Sequence, residues 1–133
     1  MSVIVTDAGF GPDDWTGEIT DLPSDADVDA LEALAEAAPP MVRIAFPSFS
    51  DGRGFTLARV LRMHGYAGRL RAQGHVIADQ FAMARRAGFD EVEIGDDLAA
   101  RQPEAQWRAR ADWRAFDHQA RLRAPLPARP DMR

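Results

Sequence analysis

From Met41 to Phe46 the chain reads Met-Val-Arg-Ile-Ala-Phe, an apolar stretch with the length and branched content of a buried strand. A serine- and glycine-bearing stretch follows over 47–54. Leu57, Val60, Leu61 and His64 then recur on one helical face as far as Gly65, so the spacing predicts a helix over about Gly54 to His64. The theme repeats. Arg69 to Ala72 reads as a second strand, Gln73-Gly-His75 as a turn, and Ile77, Phe81 and Ala84 as the stripe of a second helix that stops at Gly88. Phe89 to Ile94 supplies a third strand and Gly95-Asp-Asp97 a turn. Pro103 suits the first turn of a long C-terminal helix whose seam is Ala109, Trp113, Phe116 and Ala120. Towards the start, Val3 to Thr6 reads as a further strand, residues 7–23 as loop, and Ser24 or Asp25 as the cap of a helix carrying Val28, Leu31 and Ala35.

Strand and helix alternating at this spacing predict an α/β fold of repeated βα units, four of which fit the chain, forming a small, mostly parallel sheet covered by helices. Two arrangements satisfy the pattern: a doubly wound layer or half of a barrel. A half-barrel has open edges, which pairing with a second copy would cover, so a homodimer is one expectation. The 133 residues suit one domain, over residues 1–123, with a flexible proline-bearing tail at 124–133.

Composition narrows the chemistry. Cysteine is absent, which excludes disulfides, thiolate nucleophiles, iron–sulfur clusters on cysteine and cysteine zinc sites; lysine is absent too, which excludes imine catalysis on a lysine. No metal site is expected, since the three histidines share no ligand spacing, and adjacent Asp96 and Asp97 read as turn and helix-start residues. Residues 1–40 carry ten acids and no base, while residues 101–133 carry eight arginines against four acids. With a net charge of −5 the chain is a poor match for nucleic acid, and nothing in it resembles a membrane span or a secretory leader, so a cytoplasmic location is expected.

Ligands of parallel sheets collect at the carboxyl ends of the strands, where 47–54, 73–76 and 95–98 would meet in a single cleft. In the first of these loops Ser48, Ser50, Arg53 and Gly54 form a candidate anion site, because a guanidinium grips an oxyanion at two points and glycines allow close backbone approach. The competing reading has Asp51 capping the helix and pairing with Arg53. His75, at a strand-to-helix turn, and Asp79, on the first turn of the next helix, are candidate proton-transfer groups. Arg71 lies inside a strand and needs an acidic partner, Asp79 or Glu93. Trp107, off the C-terminal seam and close to Arg110 and Arg114, is a candidate partner-binding residue, with a second core contact as the alternative.

The segments Phe46 to Arg59 and Leu70 to Phe81, closed by Ala87-Gly-Phe-Asp90, carry an Asp-Gly-Arg-Gly loop, an Arg-Ala-x-Gly turn and an Asp-Gln pair in that order. In this word order residues 24–95 resemble a bacterial family of unknown function whose members are described as oxidoreductases or as accessory proteins of sulfite reduction. The resemblance implies a pathway, assimilatory sulfate and sulfite reduction, and a partner, a sulfite reductase or a related enzyme. It implies no catalytic residue; Asp51, Gly74, Asp79 and Gln80 match its motifs without an assigned role. No cofactor is expected, since the chain has no dinucleotide glycine pattern and no haem-ligand motif.

Overall fold

The structure, a computed structural model, describes residues 2–111 and 113. Among these the chain forms six strands, β1 (Ser2–Thr6), β2 (Gly9–Gly11), β3 (Thr20–Leu22), β4 (Met41–Phe46), β5 (Arg69–Gly74) and β6 (Glu91–Gly95). Five helices accompany them: α1 (Leu31–Ala37), α2 (Arg53–Met63), α3 (Phe81–Ala87), α4 (Asp96–Arg101) and α5 (Glu104–Arg108). All six strands join one sheet in the order β2-β1-β6-β5-β4-β3. β3 to β6 are parallel in chain order, while β1 runs antiparallel to both β6 and β2. The mostly parallel α/β sheet expected from the sequence is therefore present, and three of its four parallel strands, β4, β5 and β6, are where the sequence predicts them.

The strand order decides between the two arrangements. Because β3, β4, β5 and β6 are neighbours in sequence order, no switch point occurs. Crossovers of one hand then carry α1, α2 and α3 to the same face, where α1 packs on α2 and α2 on α3. This is the winding of consecutive barrel strands. The first βα unit is corrected too: its strand is β3, not the Val3–Thr6 segment, which flanks β6 on the other side. β2 and β3 lie inside the stretch expected as loop; at three residues each they are too short to show a period.

On the helix-covered face, Val42, Ile44 and Phe46 of β4, Leu70 and Ala72 of β5, and Val92 and Ile94 of β6 pack on Leu31, Leu57, Leu61, Phe81 and Ala84. Phe46 anchors the upper end, its ring 4.9 Å from Phe55 and 5.7 Å from Phe89. Gly54 is buried there, and a β-carbon on it would stand 2.5 Å from the Phe46 ring. The missing side chain thus lets α2 lie on Phe46, a packing role for Gly54 beside the anion-site role expected of it.

The opposite face is charged and nevertheless buried. Arg71 and Glu91 are each 1% exposed and Glu93 7%. Glu91 accepts from Arg71 Nε at 2.6 Å and from Arg69 Nε at 2.9 Å; Glu93 accepts from Arg71 at 3.0 Å, from Arg43 at 3.1 Å and from Ser2 Oγ at 2.9 Å. Arg43 continues the ladder to Asp21 of β3 at 2.6 Å. Glu93 is one of the two partners expected for Arg71. The other, Asp79, pairs with Arg110 instead.

The cover on this face is the connection 12–19. It leaves β2 at one edge of the sheet and must reach β3 at the other. Crossing six strands takes roughly 24 Å, and the nine residue steps available extend to about 30 Å, so the segment runs nearly straight as a strap. It is seen where Asp13 meets Arg71 at 3.1 Å through both carboxylate oxygens and where Arg69 lies 5.5 Å over the Trp15 ring.

The long C-terminal helix is also corrected. Pro103 does stand at a helix start, but α5 ends at Arg108. Trp107 is 1% exposed, edge-on to Phe81 at 6.0 Å, with its Nε1 donating to the Gln102 carbonyl at 2.8 Å. It is a core residue, the alternative reading, and is too buried to serve as the partner-binding residue. Arg114, Phe116, Ala120 and the tail at 124–133 lie outside the described residues.

Replacing Arg71 by methionine would leave two glutamates buried without their guanidinium. Arg71→Met is expected to lower unfolding free energy by about 3–5 kcal/mol in urea titration. A loss under about 1 kcal/mol would mean that the glutamates find water or protons at little cost.

Candidate functional site

In a sheet wound one way, the loops that can gather a ligand are those at the carboxyl ends of the parallel strands. Here β4 runs into 47–52, β5 into 75–77, and β6 directly into α4. Gly74 ends β5 with φ 121°, and a β-carbon there would stand 2.6 Å from the Phe46 carbonyl oxygen. That oxygen accepts the His75 amide at 2.9 Å and faces His75 Nδ1 at 3.3 Å. A carbonyl only accepts, so this contact favours the tautomer with hydrogen on Nδ1 and leaves Nε2 as the outward acceptor. The ring stands edge-on to the exposed Phe49 at 5.3 Å.

Gln80 fastens two loops together. Its side-chain oxygen accepts the Ile77 amide and its nitrogen donates to the Phe49 carbonyl, both at 3.0 Å. Gln102 does the same for the next helix, accepting the Ala78 amide at 2.6 Å. Gln80, singled out only as a motif position, is thereby a loop staple.

Arg53 begins α2 and is 61% exposed along its side chain. Asp51 accepts from its amide at 3.1 Å, from Nε at 3.0 Å and from Nη2 at 2.8 Å, and Nη2 also donates to Ser24 Oγ at 3.2 Å. The pairing half of the alternative for Asp51 is thus realised; the cap position of α2 is Gly52, and Asp51 takes the first helical amide from one residue further back. Ser48 and Ser50 lie 3.2 Å apart at the exposed crest of the loop. A cavity of about 290 Å³ opens beside Arg53, lined by Ser24, Asp25, Val28, Thr56 and Leu57.

The single cleft expected at this edge is instead divided. A second pocket, about 260 Å³, lies over the ends of β5 and β6 and is lined by Gly74, His75, Gly95, Asp97, Leu98 and Arg101. It has no lining residue in common with the Arg53 cavity. Arg101 went unnoticed in the sequence because its distance from His75 along the chain hides that α4 folds back over the β5 turn. Asp79 belongs to neither pocket; it pairs with Arg110 at 2.6 Å. A candidate catalytic acid and a candidate partner-binding arginine are therefore one surface ion pair. Among the described residues no group of three or more His, Cys, Asp or Glu is placed to hold a metal ion, and no helix is long and apolar enough to cross a membrane.

The hydrogen bonds from Arg53 hold the Asp51 carboxyl well below its ordinary value of 3.8. As pH falls the unfolded chain therefore takes up this proton first. The stabilisation is whole above about pH 4 and is lost as pH falls through the folded-state value. Melting temperature followed downward from pH 5 should fall less steeply in Asp51→Asn than in the wild type. Parallel curves would show that the Asp51–Arg53 pair contributes nothing to folding.

No curated protein and no solved structure matches the chain. Residues 20–128 match the family described as "Bacterial protein of unknown function (DUF934)", a span that takes in β3 to β6, every described helix and both pockets. The match covers most of the chain, which belongs to this bacterial family of unknown function.

Proposed function

We propose that the chain is a non-catalytic accessory protein of assimilatory sulfate and sulfite reduction that docks on a sulfite-reducing enzyme in the cytoplasm. The pathway rests on the resemblance carried by the Asp-Gly-Arg-Gly loop, the Arg-Ala-x-Gly turn and the Asp-Gln pair. The accessory role rests on one observation: the groups best suited to proton transfer or anion capture already serve the fold. Asp79 is paired with Arg110, His75 Nδ1 faces the Phe46 carbonyl, and Arg53 is held by Asp51. A small oxyanion at Arg53, Ser48 and Ser50 is the second element of the reading. It must compete with a tethered carboxylate, so its binding is weak and salt-sensitive.

A small βα enzyme is the alternative, favoured by the pocket in which His75, Asp97 and Arg101 meet. There His75 Nε2 would take or give the proton and Arg101 would hold a carboxylate or phosphate. A homodimer without ligand is the third reading.

The tagged chain is expected to retain the haem-containing sulfite reductase of the same cell through size-exclusion chromatography, with capture reduced by Arg110→Glu. Absence of the reductase from the purified material would sink the docking reading. Sulfate or sulfite is expected to raise the melting temperature of the wild type but not of Arg53→Ala, whereas equal shifts would dismiss the oxyanion. A turnover lost in His75→Ala and kept in Arg110→Glu would favour the enzyme.

A further inference from the structure

Arg71 is the most deeply placed guanidinium among the described residues, and its bonds divide into two sets. Nε and one Nη1 hydrogen are taken by Glu91 and Glu93, which stand on the neighbouring strand and belong to the sheet itself. The remaining pair, from Nη1 and Nη2, forms a fork aimed away from the sheet and filled by the two oxygens of Asp13, each at 3.1 Å. The sheet glutamates alone fix the plane of the fork. It is preorganised for a planar carboxylate before Asp13 arrives.

Asp13 arrives from the solvent side. Its side chain is 34% exposed, and no residue from Pro12 to Glu18 is buried. Segments with so little burial open at low free-energy cost. The strap crosses the sheet on a diagonal and has little length to spare, so Asp13 leaves the fork by rotation of its own side chain and a local shift of the exposed residues beside it while β2 and β3 stay paired. A small anion reaching the fork would replace an acid of equal charge.

We propose that Arg71 is a binding site for a small monocarboxylate, which the chain keeps closed with its own Asp13, and that the 12–19 strap is the displaceable cover. The site selects against dianions. Asp13, Asp21, Glu91 and Glu93 already outnumber Arg43, Arg69 and Arg71 on this face. A monocarboxylate in place of Asp13 preserves that count, and sulfate worsens it. The inference does not depend on docking or on Arg53.

The test uses the full chain with Asp13→Ala, or Asp13→Asn where the alanine variant does not fold, and acetate as the probe. The Arg71 Nε–H resonance should shift saturably with acetate in the variant. In the wild type the apparent affinity should be at least about tenfold weaker, because tethered Asp13 competes at an effective concentration in the millimolar range or above. Sulfate and chloride at matched ionic strength should leave the resonance in place. Backbone amides of 12–19 in the wild type should exchange faster at high acetate. A non-saturating shift, equal responses of variant and wild type, or the same response to sulfate would each overturn the proposal. Unchanged exchange of the strap would overturn its role as cover. Arg53→Ala should bind acetate as its parent does, which separates this site from the oxyanion reading at Arg53.

Discussion

The buried guanidinium of Arg71 is the constraint around which the sheet is arranged. Burial works against its charge, and the hydrogen bonds from Asp13, Glu91 and Glu93 outweigh that penalty, so the group is held protonated more firmly than an ordinary arginine. Each of those acids comes from a different part of the topology or a different register position. Glu91 and Glu93 require β6 beside β5; Asp13 requires the strap to cross the face; Arg43, sharing Glu93, brings in β4, and Asp21 brings in β3. A one-residue slip of β6 would turn both glutamates into the apolar layer and Val92 and Ile94 into the charged one. Such an ion ladder contributes little net stability, because desolvation offsets most of the attraction. It does make wrong pairings expensive.

The same winding that leaves this face to the strap places the candidate sites. With α1, α2 and α3 on one side, the loops leaving β4 and β5 are held by neighbouring side chains: Gln80 holds 47–52 to the start of α3, and Gln102 holds the β5 turn to α4. The Phe46 carbonyl ties the end of β4 to His75. The Arg53 cavity is lined from the start of α2 and the segment around Ser24, and the His75 pocket from the β5 turn and α4, so the two draw on different elements.

Much of this was legible in the chain. Met41–Phe46, the helix after it and the stop at Gly88 follow from apolar spacing and from the conformational freedom of glycine. An acidic partner for Arg71 followed from the cost of an unpaired buried charge. The failures have physical causes. β2 and β3 are shorter than any detectable period and exist because long strands pair with them. α5 ends at Arg108, so the seam of a longer helix does not decide which way Trp107 faces. The bonds that Gln80 and Gln102 make to neighbouring backbone could not be read from the chain, because glutamine in such a sequence carries no mark of a staple.

The alternation within β5 and β6 carries a further signal. Strands of a doubly wound sheet are buried on both faces and read as continuous apolar runs, whereas strands covered by helices on one face alternate. Arg69-Leu-Arg-Ala72 and Glu91-Val-Glu-Ile94 alternate charged with apolar residues, and they carry opposite signs at positions that become neighbours. The alternation alone argues that helices cover one face, which selects the one-way winding over the doubly wound layer. The opposite signs argue that β5 and β6 lie side by side. Since a charged face of this kind is buried only if something polar crosses it, the acid-rich segment before β3, with no base to offer a competing partner, becomes the natural cover. The unequal charge along the chain is, on this argument, a folding instruction before it is a surface for any partner.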